Sequence, residues 1–464
     1  MKKVDFLFIY EVKNRELENI TLLAAELERR GYTTAFINSW TSMYSSFESY
    51  DAEVVVLSAC YNTGTYHYFT HHASKFRKVV NMQWEQVIKN GYAFAEVPTS
   101  WTFSGEGLRN RHICWGNNTK ERLHTRFGVP YEYLKVCGHI ALDFYKPEFR
   151  EFVIPREKLF TENGLDPNKK TALFIASFAM ANMPDRLLAI SSDTLKDIDV
   201  KTARQSQSDL IEWFSKVVPK HPDIQFVYRY HHSEANDERL KKLEETVDNF
   251  YCISKEAIKH WIIACDKIYN WESTSAIEVY VADKQNFVLR PIELPWEVDL
   301  PLFKNADIIT DADDFDKSMA LDCDVKNQPY DDEVMHDYYD MDGRFTFHKI
   351  CDLLEETYAS TEYSSHQYEK HNNKLTRFIR DAYMNMVYSD FTANMVKRIH
   401  KSKWNGPFFR FIKSKEVPVP MKKTEEYQYN LSRKTLNYSS PEEIRTMMDR
   451  YKNILENCKK YIER

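Results

Sequence analysis

Glycine is scarce in this chain, 11 residues in 464. No GxGxxG and no GxxxxGK[ST] run occurs, so a Gly-rich dinucleotide site and a P-loop are both excluded. The eight cysteines are scattered without a CxxC pair, which excludes a zinc framework and reads as reduced thiols. No run of 18 apolar residues is present, and the opening MKKVDFLFIYEVKNRE becomes charged too early for a secretory signal. A cytoplasmic location is therefore expected. With a net charge of −6 there is no overall basic character, and nucleic acid is not an expected partner. No clustered DxD with metal-ligand context occurs. The DADD run at Asp311, Asp313 and Asp314 reads as surface charge, so no metal and no cofactor is expected.

What remains is a chain with 43% apolar and 14% aromatic residues, enough to build sizeable cores. Short apolar runs at 4–10, 33–38, 52–59 and 78–84 read as buried strands, and the amphipathic NRELENITLLAAELERRG between the first two reads as a helix. A second series follows at 171–179, 224–232, 249–254, 267–271 and 285–291, with a long polar helix near 203–218. Strand–helix alternation twice over predicts an α/β chain of two Rossmann-like lobes facing a cleft. The expected division is 1–150 and 151–330 for the lobes, with 128–164 read as a connection between them. A helical region over 331–464, with a helix start at Pro441-Glu442-Glu443, would cross back in part to the first lobe.

The strongest local signal is Arg229-Tyr230-His231-His232-Ser233-Glu234 at the end of an apolar strand. A cation, two imidazoles and a hydroxyl delivered to a strand's carboxyl end suit a phosphate or diphosphate. The plainer alternative is a polar turn with Ser233 as a helix cap. Further on, Asn270 precedes Ser273-Thr274-Ser275 at a helix start, where hydroxyls and N–H groups can face an anion, and Glu278 lies one turn in, suited to ribose or sugar hydroxyls. Simple capping with a surface Glu is the competing reading of that segment.

These segments carry a resemblance. The stretches EVKNRELENITLLAAELERRG, VCGHIALDFYKPEF (136–149), LFIASFAMAN (173–182), RYHHSE and NWESTSAIE occur in the order found in the bacterial surface-carbohydrate biosynthesis proteins. The chain resembles these GT-B-type glycosyltransferases over residues 1 to about 300. It is similar in part to the retaining β-Kdo transferases and more distantly to CDP-glycerol polymer transferases. It departs from the family where His231-His232 replaces His-Pro, where Gly138-His139-Ile140 replaces Gly-Asn-Pro, and where Gln83-Trp84-Glu85-Gln86 stands for an acidic segment.

The resemblance implies a GT-B fold and a metal-independent transfer from a nucleotide-sugar donor, with CMP-Kdo suggested, to a surface-polysaccharide acceptor. A polyol-phosphate transferase, a nucleotide-sugar epimerase and a catalytically silent binder are the alternatives. Donor binding falls to Arg229, His231, His232, Ser233, Glu234, Asn270, Ser273, Thr274, Ser275 and Glu278. Glu85, Asp185 and His231 are the candidate catalytic residues, and Glu11, Arg15 and Glu16 carry less weight. The basic, aromatic stretch 397–423 reads equally as a crossover between lobes or as a peripheral contact at the inner membrane face, where a lipid-linked acceptor would be met.

Overall fold

Phe6, Phe8 and Tyr10 of the first strand enter one core, while Leu7 and Ile9 enter another. A strand apolar on both faces can only lie inside a sheet covered on both sides, the position of a parallel strand. The computed structural model describes residues 2–39, 50–70, 75–94, 102–181, 194–231, 234, 237–323, 330–361 and 439–462. In it, β1 (Lys2–Tyr10), β2 (Thr34–Asn38), β3 (Tyr50–Leu57), β4 (Lys75–Asn81), β5 (Arg111–Cys114) and β6 (Leu134–Val136) form one sheet, ordered β2-β1-β3-β4-β5-β6. Every pairing in it is parallel.

The second sheet contains β7 (Lys170–Ile175), β8 (Ile224–Arg229), β9 (Phe250–Ile253), β10 (Lys267–Asn270), β11 (Gln285–Leu289) and β12 (Ile308–Ile309), in the order β12-β11-β10-β7-β8-β9. It too is wholly parallel. The same two-sided burial recurs in β7, whose Ala172 and Phe174 face one core and Leu173 and Ile175 the other. The two Rossmann-like lobes expected from strand–helix alternation are thus present as two six-stranded sheets.

Both orders reverse once. The chain leaves β1 to one side for β2 and returns to the other for β3. It leaves β7 towards β8 and β9 and returns to the far side for β10. A crevice opens at the carboxyl ends of the strands flanking such a reversal, because the two following connections turn away from each other. The crevices lie between β1 and β3 and between β7 and β10.

Several local features differ from the sequence expectation. The strand expected over 78–84 ends at Asn81, and Gln83 takes a φ of 48°. Glu85 therefore sits on a loop rather than at a strand end. The segment 128–164 includes β6, which pairs with β5 inside the first sheet. The long polar helix begins earlier than expected, at Thr194–Val217. Asp311 caps the helix Ala312–Met319 by accepting from Asp313 N and Asp314 N.

The helices Thr346–Ala359 and Pro441–Ile462 pack on the first lobe. Their Phe347, Ile350, Leu354, Met448, Tyr451 and Leu455 share a core with Leu23, Leu27 and Phe8. The second of these helices starts where expected, with Ser440 Oγ accepting from Glu443 N at 3.1 Å. Among the described residues no helix is long and apolar enough to cross a membrane. The stretch 397–423 lies outside the described residues.

Candidate functional site

In the first lobe the chain leaves β1 through a π-helical turn, Lys13–Leu17, that swings Glu16 back under the strand ends. Glu16 is fully buried. Its carboxylate accepts from Glu11 N at 2.8 Å and from Ser58 Oγ, just past β3, at 2.5 Å. Arg15 Nη2 meets the other Glu16 oxygen at 2.7 Å, and Arg15 Nη1 meets Glu85 Oε1 at 2.7 Å. Burial pulls the guanidinium's pKa down, but Glu16 and Glu85 overcome this and hold it above its ordinary value. Glu85 is 48% exposed at its side chain. The result is a carboxylate at the rim of the crevice, oriented by an arginine that is itself fixed from below.

In the second lobe, Ile175 of β7 pairs with Arg229 on one side and Asn270 on the other, so the two predicted segments end level with each other. Arg229 is buried and donates to the carbonyl oxygens of Tyr230, at 2.9 Å, and of Glu256. Burial lowers its pKa to about 10. Its guanidinium is thus engaged with the backbone that carries His231. Glu234 accepts from Tyr228 Oη at 2.7 Å, Gln207 Nε2 at 3.1 Å and His231 N at 3.2 Å. Burial still pushes this carboxyl up to about 7. His232 and Ser233 lie outside the described residues, as does Asp185.

At the end of β10, Asn270 donates to Asn286 Oδ1 at 2.8 Å. Trp271 stacks on Phe178 at 4.7 Å between ring centroids. Ser273 Oγ accepts from Ser275 N at 3.2 Å, Thr274 is exposed and Ser275 is half-buried. They lead into the short helix Ala276–Val281. Glu278 is buried in it, accepts from Tyr145 Oη at 3.1 Å, and has its pKa raised chiefly by burial.

The carboxyl ends of both sheets meet at one seam. Asn14 Nδ2, beyond β1, donates to Ser254 O, beyond β9, at 3.1 Å. Lys89, beyond β4, reaches Asp199 at 2.7 Å and Glu272 at 3.0 Å. The structure therefore gathers Asn270 and Ser273 to Glu278 beside the second crevice, with Arg229, His231 and Glu234 one strand away. Glu85 stands at the rim of the first.

Sequence reasoning did not single out Lys89, Asp199, Glu272 or Tyr145. Their roles arise from pairs separated by 110 and 183 residues for Lys89 and by 133 for Tyr145 and Glu278. No local pattern signals such pairs. Glu16 was legible only as a carboxylate following the first strand. Trp115 is buried and stacked on Tyr339 at 5.7 Å between centroids, which makes it a core aromatic. Among the described residues no group of three or more His, Cys, Asp or Glu is placed to hold a metal ion.

No family model matches the chain, and no curated protein sequence matches it. Among solved structures it is similar to the wall teichoic acid polymerase TagF, with 12% identity over 76% of this chain and 88% of that one, TM-score 0.48. It is similar to a putative UDP-N-acetylglucosamine 2-epimerase from Listeria monocytogenes, with 13% identity over 78% and 98% of the two chains, TM-score 0.45. A glycosyltransferase from Rickettsia africae ESF-5 is similar at 12% identity over 78% and 100%, TM-score 0.40.

Proposed function

We propose that this protein is a glycosyltransferase that binds a nucleotide-sugar donor at the β7/β10 crevice and passes the sugar to a glycan acceptor entering along the β1/β3 crevice. The observation that carries the reading is that both strand-order reversals open on the same seam, tied across by Asn14–Ser254 and by Lys89 with Glu272. Two substrates brought to facing crevices can react without either diffusing away.

In this reading the hydroxyls of Ser273, Thr274 and Ser275 hold the donor phosphate, with His231, His232 and Ser233 contributing from the neighbouring connection. Arg229 supports that connection through the Tyr230 carbonyl. Glu278 lies next to the ribose. Glu85, held by Arg15 at the rim, takes the acceptor proton or meets the anomeric carbon, with Asp185 as its counterpart in the second lobe. CMP-Kdo as donor and a lipid-linked surface polysaccharide as acceptor, reached through 397–423 at the inner membrane face, rest on the motif resemblance and the composition of that stretch.

The experiment is a thermal-shift panel of CMP, UDP, GDP and CDP with their sugar-linked forms, followed by turnover assays on whichever binds. A ligand at a hundred times its Kd stabilises the folded state by about 2.7 kcal/mol. One nucleotide class is expected to raise Tm, and Ser273→Ala with Thr274→Ala should remove most of the rise. A shift untouched by those changes would place the nucleotide elsewhere. Binding without hydrolysis or transfer to any acceptor would make the protein a silent binder.

A further inference from the structure

Buried polar atoms without a hydrogen-bond partner among the described residues gather just beyond β7 and at the end of β10. They are Ser177 Oγ, Asn270 Oδ1, Trp271 Nε1 and Glu272 Oε1. Trp271 is 2% exposed and Glu272 4%. Leaving such atoms unpaired is destabilising, and native chains rarely tolerate several in one place unless another molecule completes them.

The surroundings specify what that molecule offers. The free Glu272 oxygen accepts, whereas Trp271 Nε1 can only donate and Ser177 Oγ can do either. Around them Lys89, 5.9 Å from the Trp271 ring centroid, stands against two buried carboxylates, Asp199 and Glu272, and Arg290, which donates to the Trp271 carbonyl oxygen at 3.4 Å, is paired with Asp299 at 2.7 Å. A phosphate brings only acceptors and further negative charge, so it suits this corner poorly. A sugar hydroxyl both donates and accepts and carries no charge. Burial above all, with Asp199 adding to it against Lys89, raises the Glu272 pKa to about 7.

We propose that the donor's sugar ring occupies this corner, with Glu272 Oε1 accepting from one of its hydroxyls and Trp271 Nε1 donating to one of its oxygens. Lys89, from the first lobe, is a positioning residue that holds the other Glu272 oxygen, so the sugar is read only when the lobes are together. The inference rests on the nucleotide-sugar reading above and divides its site in two: Ser273 to Ser275 for phosphate, Trp271 and Glu272 for sugar.

The test compares each bare nucleotide (CMP, UDP, GDP, CDP) with its sugar-linked form by calorimetric titration of wild type, Glu272→Gln and Trp271→Phe. Glu272→Gln keeps the shape and exchanges one acceptor oxygen for a donor, with Lys89 retaining Asp199 as partner; Trp271→Phe removes the Nε1 donor together with one indole ring, and its bare-nucleotide affinity reads any cost of the lost packing. For the class that binds, each variant should lose about tenfold in affinity for the sugar-linked form and nothing for the bare nucleotide. Equal losses for both forms would mean that these residues support the fold or the phosphate. No loss for either would mean that they touch no ligand, and both results overturn the sugar site while leaving the donor reading standing. If neither form binds wild type, the donor reading falls and the sugar site with it.

Discussion

Glu234 shows how one carboxyl can be well supplied with hydrogen bonds and still favour its proton. Three donors reach it, from Tyr228, Gln207 and His231. Burial outweighs them and lifts the pKa from 4.5 to about 7. Between those values the folded state binds a proton that the unfolded state has released. This group's contribution is therefore fully present below about pH 4.5 and is lost as pH rises towards 7. Thermal melts of Glu234→Gln across that window are expected to fall less with pH than those of wild type. Parallel curves would mean that Glu234 titrates alike in the folded and unfolded states. The chemistry around this residue was partly legible. RYHHSE announced a polar strand end, but that Arg229 points into the carbonyls of Tyr230 and Glu256 depends on a loop 27 residues away.

At the scale of elements, sequence and structure agree where burial imposes a period. β1, β7 and β8, and β3 from Val54 to Leu57, alternate between two cores, and such runs are long and apolar enough to be read directly. β5 escaped because Arg111–Cys114 holds an arginine and a histidine within four residues. It forms because the sheet supplies partners that the sequence does not display. His112 Nδ1 lies 3.0 Å from Asn81 Nδ2, and Arg111 reaches Glu356 on the helix Thr346–Ala359 at 2.8 Å.

That helix is fixed to the first lobe by a cap borrowed from far away in the chain. Asp143 is fully buried and accepts from Thr346 N at 3.0 Å and Phe347 N at 2.8 Å, two donors that a helix start leaves unpaired. Asp143→Ala strands both, and should destabilise the protein by about 2 kcal/mol in urea titration, with Asp143→Asn losing less because one acceptor remains. A change below about 0.5 kcal/mol for the alanine variant would show that the helix start is satisfied by other means.

The whole molecule is held at a further inter-lobe tie, and part of its behaviour in acid follows from it. Glu18, at the start of the helix Glu18–Arg29, accepts from Lys259 at 2.8 Å and His260 Nε2 at 3.1 Å in the second lobe, and from Tyr451 Oη at 3.3 Å on the last helix. His260 Nδ1 accepts from Ile154 N at 3.1 Å, so its proton sits on the nitrogen that faces Glu18. Burial works against the Glu18 charge, but the Lys259 ammonium and the hydrogen bonds from His260 and Lys259 prevail and hold its pKa well below the ordinary carboxylate range. A depressed carboxyl pKa gives stability that is present above the unfolded value of 4.5 and is lost as pH falls. Glu18→Gln removes the charge while Lys259 stays buried without its carboxylate, a loss of about 3–5 kcal/mol at neutral pH. The variant should also lack the part of the wild type's acid-induced loss that Glu18 supplies. Calorimetric melts of both proteins from neutral to acid pH read the two effects together. A variant whose stability falls in acid as steeply as wild type would show that Glu18 supplies none of the acid-induced loss.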